Sequence, residues 1–148
     1  FRGLTRSEHT GNNKDTMESV AGFVKEGGRG LVIANLIDFD MLYGHRNDPK
    51  GYARALEEID EMIRDLGGIL KEGDVLAITA DHGCDPTTRS TDHSREYVPL
   101  LMYGKLMQQG VYLGTRSSFA DLGSTIADLL EVPEELAGVS FKSMLLRK

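Results

Sequence analysis

Three short apolar runs constrain this chain most: LVIANLI at 31–37, VLAIT at 75–79 and VPLLMYG at 98–104. Each has strand length. Runs this apolar belong inside a sheet covered on both faces, as parallel sheets are. Between them lie segments whose apolar residues recur at helical spacing. Met17, Val20, Phe23 and Val24 predict a helix over 15–26, stopped by Gly27 and Gly28. Tyr52, Leu56, Ile59, Ile63 and Leu66 predict another over about 50–66, with Pro49 in its first turn, where a missing N–H is harmless. Phe119, Leu122, Ile126 and Leu129 predict a third over about 118–130, and 133–145 closes with a short turn or helix. Strands alternating with helices give an α/β fold: a mostly parallel sheet with helices on both faces. Residues 1–14 are polar and rich in turn formers, an irregular lead-in.

At 148 residues the chain can bury a real core. It opens on Phe1 rather than Met, so upstream sequence is expected. No apolar run reaches the length of about eighteen residues that spans a membrane, and no secretory leader is visible. The single cysteine, Cys84, excludes an internal disulfide and fits a reducing, cytoplasmic compartment. A net charge of −6 argues against a nucleic-acid binder, which presents a basic face. An acidic protein that handles phosphate must supply positive charge locally, and bound metal ions are the usual means.

Ligands of open α/β sheets bind beyond the carboxyl ends of the strands. Two predicted strand ends carry acids and imidazoles. LVIANLI runs into DFDMLYGHRND, with Asp38, Asp40 and His45; VLAIT runs into ADHG, with Asp81 and His82. His93 follows in the loop before the third run. Each residue alone has an ordinary explanation, since an Asp after a strand commonly caps a turn. Three of the four histidines at strand ends, each beside carboxylates, point to a metal site. Mixed Asp/His sets suit Mn²⁺, Zn²⁺ or Fe, whereas Ca²⁺ takes oxygen ligands. Proximity does not separate Asp38 from Asp40, which share a face if the segment is extended. Cys84 reads as a small residue packed under the loop. Asp85, Arg89, Asp92 and Arg95 read as a solvated loop network, with ligand orientation or phosphate contact as the alternative. His9 has no acidic context and takes no role.

NLIDFDMLYGHRND and TADHGCDPTTRSTDHSREYVPLLMYGK together closely resemble the C-terminal part of the bacterial phosphopentomutases, members of the alkaline phosphatase superfamily of metalloenzymes. The likeness extends through SFADLGSTIADLL to GVSF. ADHG alone is shared across the superfamily; the longer strings are more specific. Cofactor-independent phosphoglycerate mutases also resemble the chain at ADHG. Their first motif, PDMVGH, keeps three residues between Asp and His, whereas four separate Asp40 from His45. They follow the last His with Thr and NPVP, whereas SREYVP follows His93.

The resemblance implies that Asp40, His45 and His93 ligate one metal, that Asp81 and His82 ligate a second, and that Asp38 is a structural acid or one that supports the ligands from behind. The implied ions are Mn²⁺, two in an intact site. The implied reaction moves phosphate between the 5 and 1 oxygens of ribose or deoxyribose through a phosphothreonine. The family's Thr nucleophile lies in an N-terminal core segment, and a cap domain inserted in the core helps bind the pentose phosphate. Neither matches anything here, and Thr79, Thr87, Thr88 and Thr91 do not correspond to the nucleophile. Residues 1–148 thus read as the C-terminal part of an alkaline-phosphatase-like core, inactive alone, with uncovered core surface that invites self-association. A phosphatase or phosphodiesterase of the same superfamily, and a non-enzymatic domain stabilised by a metal, are the competing readings.

Overall fold

Residues 3–133 and 136–146 are described by the computed structural model. They divide into two compact units, one running to Leu70 with Leu76–Met102, the other comprising Lys71–Val75 with Tyr103 onward.

The first unit begins with α1, Asn13–Glu26. Asn12 caps it, its side chain accepting from Asp15 N at 2.9 Å. Gly27 ends it at φ 74°, in the left-handed region that glycine adopts without a Cβ penalty. α2, Pro49–Ile69, carries proline in its first turn and Asp48 as cap, accepting from Gly51 N at 2.9 Å. The two helices pack on each other around Met17, Ile59 and Leu66, with Val20, Val24, Phe39, Met62 and Leu76 against that centre. Each such buried apolar side chain contributes about 1.5–3 kcal/mol. Ile59 and Leu66 are buried as expected, but Leu56 is 51% exposed, and Gly51 and Ala55 are buried in addition. Two strands, β1 (Leu76–Thr79) and β2 (Leu100–Tyr103), pair in a two-stranded sheet.

The predicted strand at 31–37 does not form. Residues 31–36 have no regular structure, and Leu31, Val32, Ile33 and Ile37 are exposed, Ile33 by 82%. A strand buried on both faces requires neighbours along its edges and layers over its faces. Among the described residues no strand pairs with this segment. The mixed α/β class stands, with one two-stranded sheet among the described residues.

After that run the chain makes a π-helical turn, η1, Phe39–Gly44, and not an extended segment in which Asp38 and Asp40 would share a face. His45 N donates to Asp40 O at 2.9 Å and Asp48 N to Tyr43 O at 3.0 Å, both across five residues. η1 packs on α2, with the Phe39 and Tyr52 rings 5.2 Å apart. Tyr43 lies where a Cβ on Gly51 would stand, 2.5 Å from its ring, so glycine is required for this approach.

In the second unit, α3 spans Ala120–Leu129 and packs on the short α4, Lys142–Leu145. Leu122, Ile126 and Leu129 are half-buried, but Phe119 is 62% exposed. The buried face is polar: Asp121, Ser124 and Thr125. Asp121 takes Arg116 Nε at 2.9 Å and Val139 N at 2.9 Å. Thr125 Oγ1 donates to Asp121 O at 2.7 Å and accepts from Phe141 N at 3.0 Å. Such pairing is what makes burial of Asp121 and Thr125 tolerable. Of the segment 133–145, only Lys142–Leu145 is helical, and residues 134 and 135 lie outside the described residues.

Candidate metal centre

The candidate site lies in the first unit, where η1 meets the long loop after β1. In an α-helix, five residues overshoot one turn of 3.6. The wider π turn returns His45 over Asp40, so His45 Nε2 lies 3.1 Å from Asp40 Oδ2. The four-residue gap read in the sequence is therefore one π turn.

The loop supplies the opposite wall. Asp85 folds its start into an Asx-type turn, accepting from Thr87 N at 2.9 Å and Thr87 Oγ1 at 2.7 Å. These bonds hold the Asp85 carboxylate below its ordinary range, the Thr87 hydroxyl being the largest cause. Ser94 N donates to Gly83 O at 3.2 Å, and an antiparallel bridge at these two residues closes the loop. A Cβ on Gly83 would stand 2.5 Å from Glu96 N, so only glycine lets the two backbones meet. Closure stacks His82 on His93, ring centres 3.6 Å apart and planes 15° off parallel. His93 Nε2 then sits 3.2 Å from Asp40 Oδ1. Asn47, at φ 50°, ties the turn after η1 to the loop, donating to Thr88 O at 3.0 Å.

Asp40, His45 and His93 thus each offer one ligand atom, all within 4.8 Å of one another. The protonation of His45 follows from its partner. Its Nδ1 lies 2.5 Å from Thr91 O. A carbonyl only accepts, so Nδ1 carries the hydrogen. In the neutral ring, Nε2 is then a lone pair facing a carboxylate oxygen. Two acceptors at this distance require a proton or a cation between them. The Thr91 carbonyl, and after it the Asp40 carboxylate, raise the His45 pKa, the signature of a position that favours positive charge. Asp40 Oδ1 is buried and accepts no hydrogen bond. A carboxylate with one imidazole nitrogen beside each oxygen, one of those oxygens buried without a hydrogen bond, fits a divalent cation of Mn²⁺, Zn²⁺ or Fe type. The Thr91 carbonyl is the orienting partner a ligating imidazole needs.

Asp81 and His82 form a looser pair beside this cluster. Asp81 Oδ1 is 3.7 Å from His82 Nε2, and the Asp81 side chain is 78% exposed. Asp38 stands apart and is bound elsewhere. Its carboxylate accepts from Asn13 N at 2.8 Å, at the N-terminus of α1, and its own N–H donates to Asn13 Oδ1 at 3.0 Å. A carboxylate at a helix N-terminus meets unpaired amides and the positive end of the dipole. Cys84 is half-buried against η1; burial foremost, then the Asp40 and Asp85 carboxylates, pushes its thiol up and keeps it neutral. That suits packing rather than ligation. The residues that position the imidazoles, Thr91 and Gly83, were given no such role from the sequence. A backbone carbonyl leaves no mark there, and a glycine does not say what fills its space.

A family model described as the metalloenzyme superfamily matches residues 2–134. The chain belongs to that superfamily. It is 53% identical over 144 residues to a phosphopentomutase of Clostridium kluyveri, covering 97% of this chain and 37% of the relative. The figures are 53% over 146 residues, 99% and 37% for a phosphopentomutase of Clostridium acetobutylicum, and 55% over 144 residues, 97% and 37% for one of Desulfitobacterium hafniense. The chain therefore spans 37% of the length of these superfamily relatives. Among the described residues no helix is long and apolar enough to cross a membrane.

Proposed function

We propose that this chain is the C-terminal core part of a phosphopentomutase, an isomerase that moves phosphate between the 5 and 1 oxygens of ribose or deoxyribose. One observation carries the reading: Asp40 presents both carboxylate oxygens to imidazole nitrogens, Oδ2 to His45 Nε2 at 3.1 Å and Oδ1 to His93 Nε2 at 3.2 Å. Asp40, His45 and His93 hold one divalent ion, Mn²⁺ in this proposal; Asp81 and His82 contribute to a second. Such ions, when bound, offset the negative charge that repels phosphoryl transfer. The chain's own residues orient the ligands. Thr91 O fixes the His45 ring, the Gly83–Ser94 bridge fixes His82 against His93, and η1 fixes Asp40.

The nucleophilic Thr, the remaining strands of a mostly parallel alkaline-phosphatase-like sheet, and the cap domain are supplied by sequence beyond these 148 residues. Cytoplasmic pentose phosphate metabolism is the proposed setting, and a pentose phosphate the substrate. The chain alone is inactive and self-associates through the exposed 31–37 run.

Calorimetric Mn²⁺ titration of the chain beside His93→Ala tests the centre. Binding should be present in the parent and weaker in the variant by more than the roughly 10–100-fold that loss of an outer partner costs. Equal affinities would refute the ligand assignment. A chimera in which this chain replaces the matching segment of the Clostridium kluyveri enzyme tests the activity. It should interconvert ribose 1-phosphate and 5-phosphate, and lose that turnover with His93→Ala. Release of free phosphate without isomerisation would make the site a hydrolase instead.

A further inference from the structure

Gly44 is buried at the end of η1, between the ligand candidates Asp40 and His45 in sequence. Its φ lies outside the left-handed region, so its backbone would accept any residue. Inside a helical turn alanine is preferred over glycine, because glycine loses more freedom on folding. Conformation therefore gives no reason for glycine here. Space does. A Cβ at Gly44 would fall far inside van der Waals contact of Cys84 Sγ, 3.2 Å from Phe39 O and 3.6 Å from Asp40 Oδ1. The thiol occupies the place a side chain would take, directly beside the carboxylate that both imidazoles face.

We propose that Gly44 and Cys84 form a positioning pair, in which Cys84 Sγ seats against the bare Cα of Gly44 and holds the π turn closed, setting the distance between Asp40 and His45. Its consequence for metal affinity rests on the reading of Asp40, His45 and His93 as a cation site; its consequence for the turn does not. Neither residue is a ligand. Gly44→Ala would push the loop carrying Cys84 off η1 or open the turn, and either change displaces Asp40 from His45. Removing the sulfur makes room for the added methyl, so Cys84→Ala should rescue Gly44→Ala. Sites that do not touch add their effects, so rescue of one substitution by the other would report direct contact between these two positions.

The experiment compares the parent chain with Gly44→Ala, Cys84→Ala and the double variant by two readouts. Hydrogen exchange at the His45 amide, which donates to Asp40 O at 2.9 Å, reports closure of the turn without any metal. Mn²⁺ calorimetry reports the site. In Gly44→Ala the His45 amide should exchange faster and Mn²⁺ affinity should fall about 10–100-fold, as for loss of an orienting partner. The double variant should recover both toward parent values. Parent-like protection in Gly44→Ala, or a double variant no better than the single, overturns the proposal. If Gly44→Ala is too unstable to measure, the comparison moves into the Cys84→Ala background, where adding Gly44→Ala should change little; a large loss there overturns it. A parent that fails to bind Mn²⁺ overturns the metal reading instead, and amide exchange still decides the pair.

Discussion

Two aspartates two positions apart have separate work. Asp40 faces imidazoles, while Asp38 anchors the first amide of α1. Asp38→Ala should therefore cost about 1 kcal/mol of stability, as loss of a helix-capping carboxylate does, and leave Mn²⁺ affinity unchanged. Asp40→Ala should abolish Mn²⁺ binding. A paired denaturant melt and metal titration of the two variants checks this; loss of affinity in Asp38→Ala would mean that the acid also supports the site. Gly83 admits a comparable test. Gly83→Ala places a methyl against the Ser94–Glu96 backbone, breaks the bridge and should part His82 from His93. NMR of the His82 and His93 ring protons, shifted by stacking at 3.6 Å in the parent, should then move toward values of separate rings.

At the scale of elements, α3 is held by hydrogen bonds as much as by apolar burial. The Asp121 carboxyl is kept below its ordinary range, first by the Val139 N–H and then by Arg116. A depressed carboxyl contributes stability that is present above its ordinary value of 3.8 and lost as pH falls through the depressed one. Asp121→Asn should lower stability at neutral pH and flatten the acid limb of a stability–pH curve. An unchanged acid limb would mean that other carboxylates govern it. The same helix shows what the sequence concealed. Apolar spacing located α3 within a few residues, yet it pointed to Phe119 for the buried face, which Asp121, Ser124 and Thr125 occupy instead. The partners of Asp121 and Thr125, namely Arg116, Val139 and Phe141, are set by tertiary contacts that local periodicity does not encode. α1 and α2 were legible because caps and apolar faces agree there. η1 was not, since its i→i+5 bonding has no composition signal, although the Asp40–His45 spacing was its trace. The ligand candidates were legible as residue types after predicted strands and, by resemblance, as a set; their orientation by Thr91 was not.

Across the whole molecule, the apolar run at 31–37 is the main departure from expectation, and it is a liability. Leu31, Val32 and Ile33 are all exposed, contiguous, and without a strand partner among the described residues. Exposed runs of this kind promote association. Light scattering should show mass rising with concentration, and Ile33→Lys, at a position 82% exposed, should reduce that rise with little change in stability. A concentration-independent monomer in the parent would refute it.

The bond between His45 and Thr91 joins residues 46 positions apart, and the ring pair His45–His93 spans a similar stretch. Closing a loop that long is an entropic toll met before the contact can form. The ligands of this centre converge only once that loop has closed, and α1 and α2 likewise meet across a long stretch of chain. A cation added to the unfolded chain would find no cage, so the appearance of an Mn²⁺ complex during refolding becomes a clock for the closure of that loop.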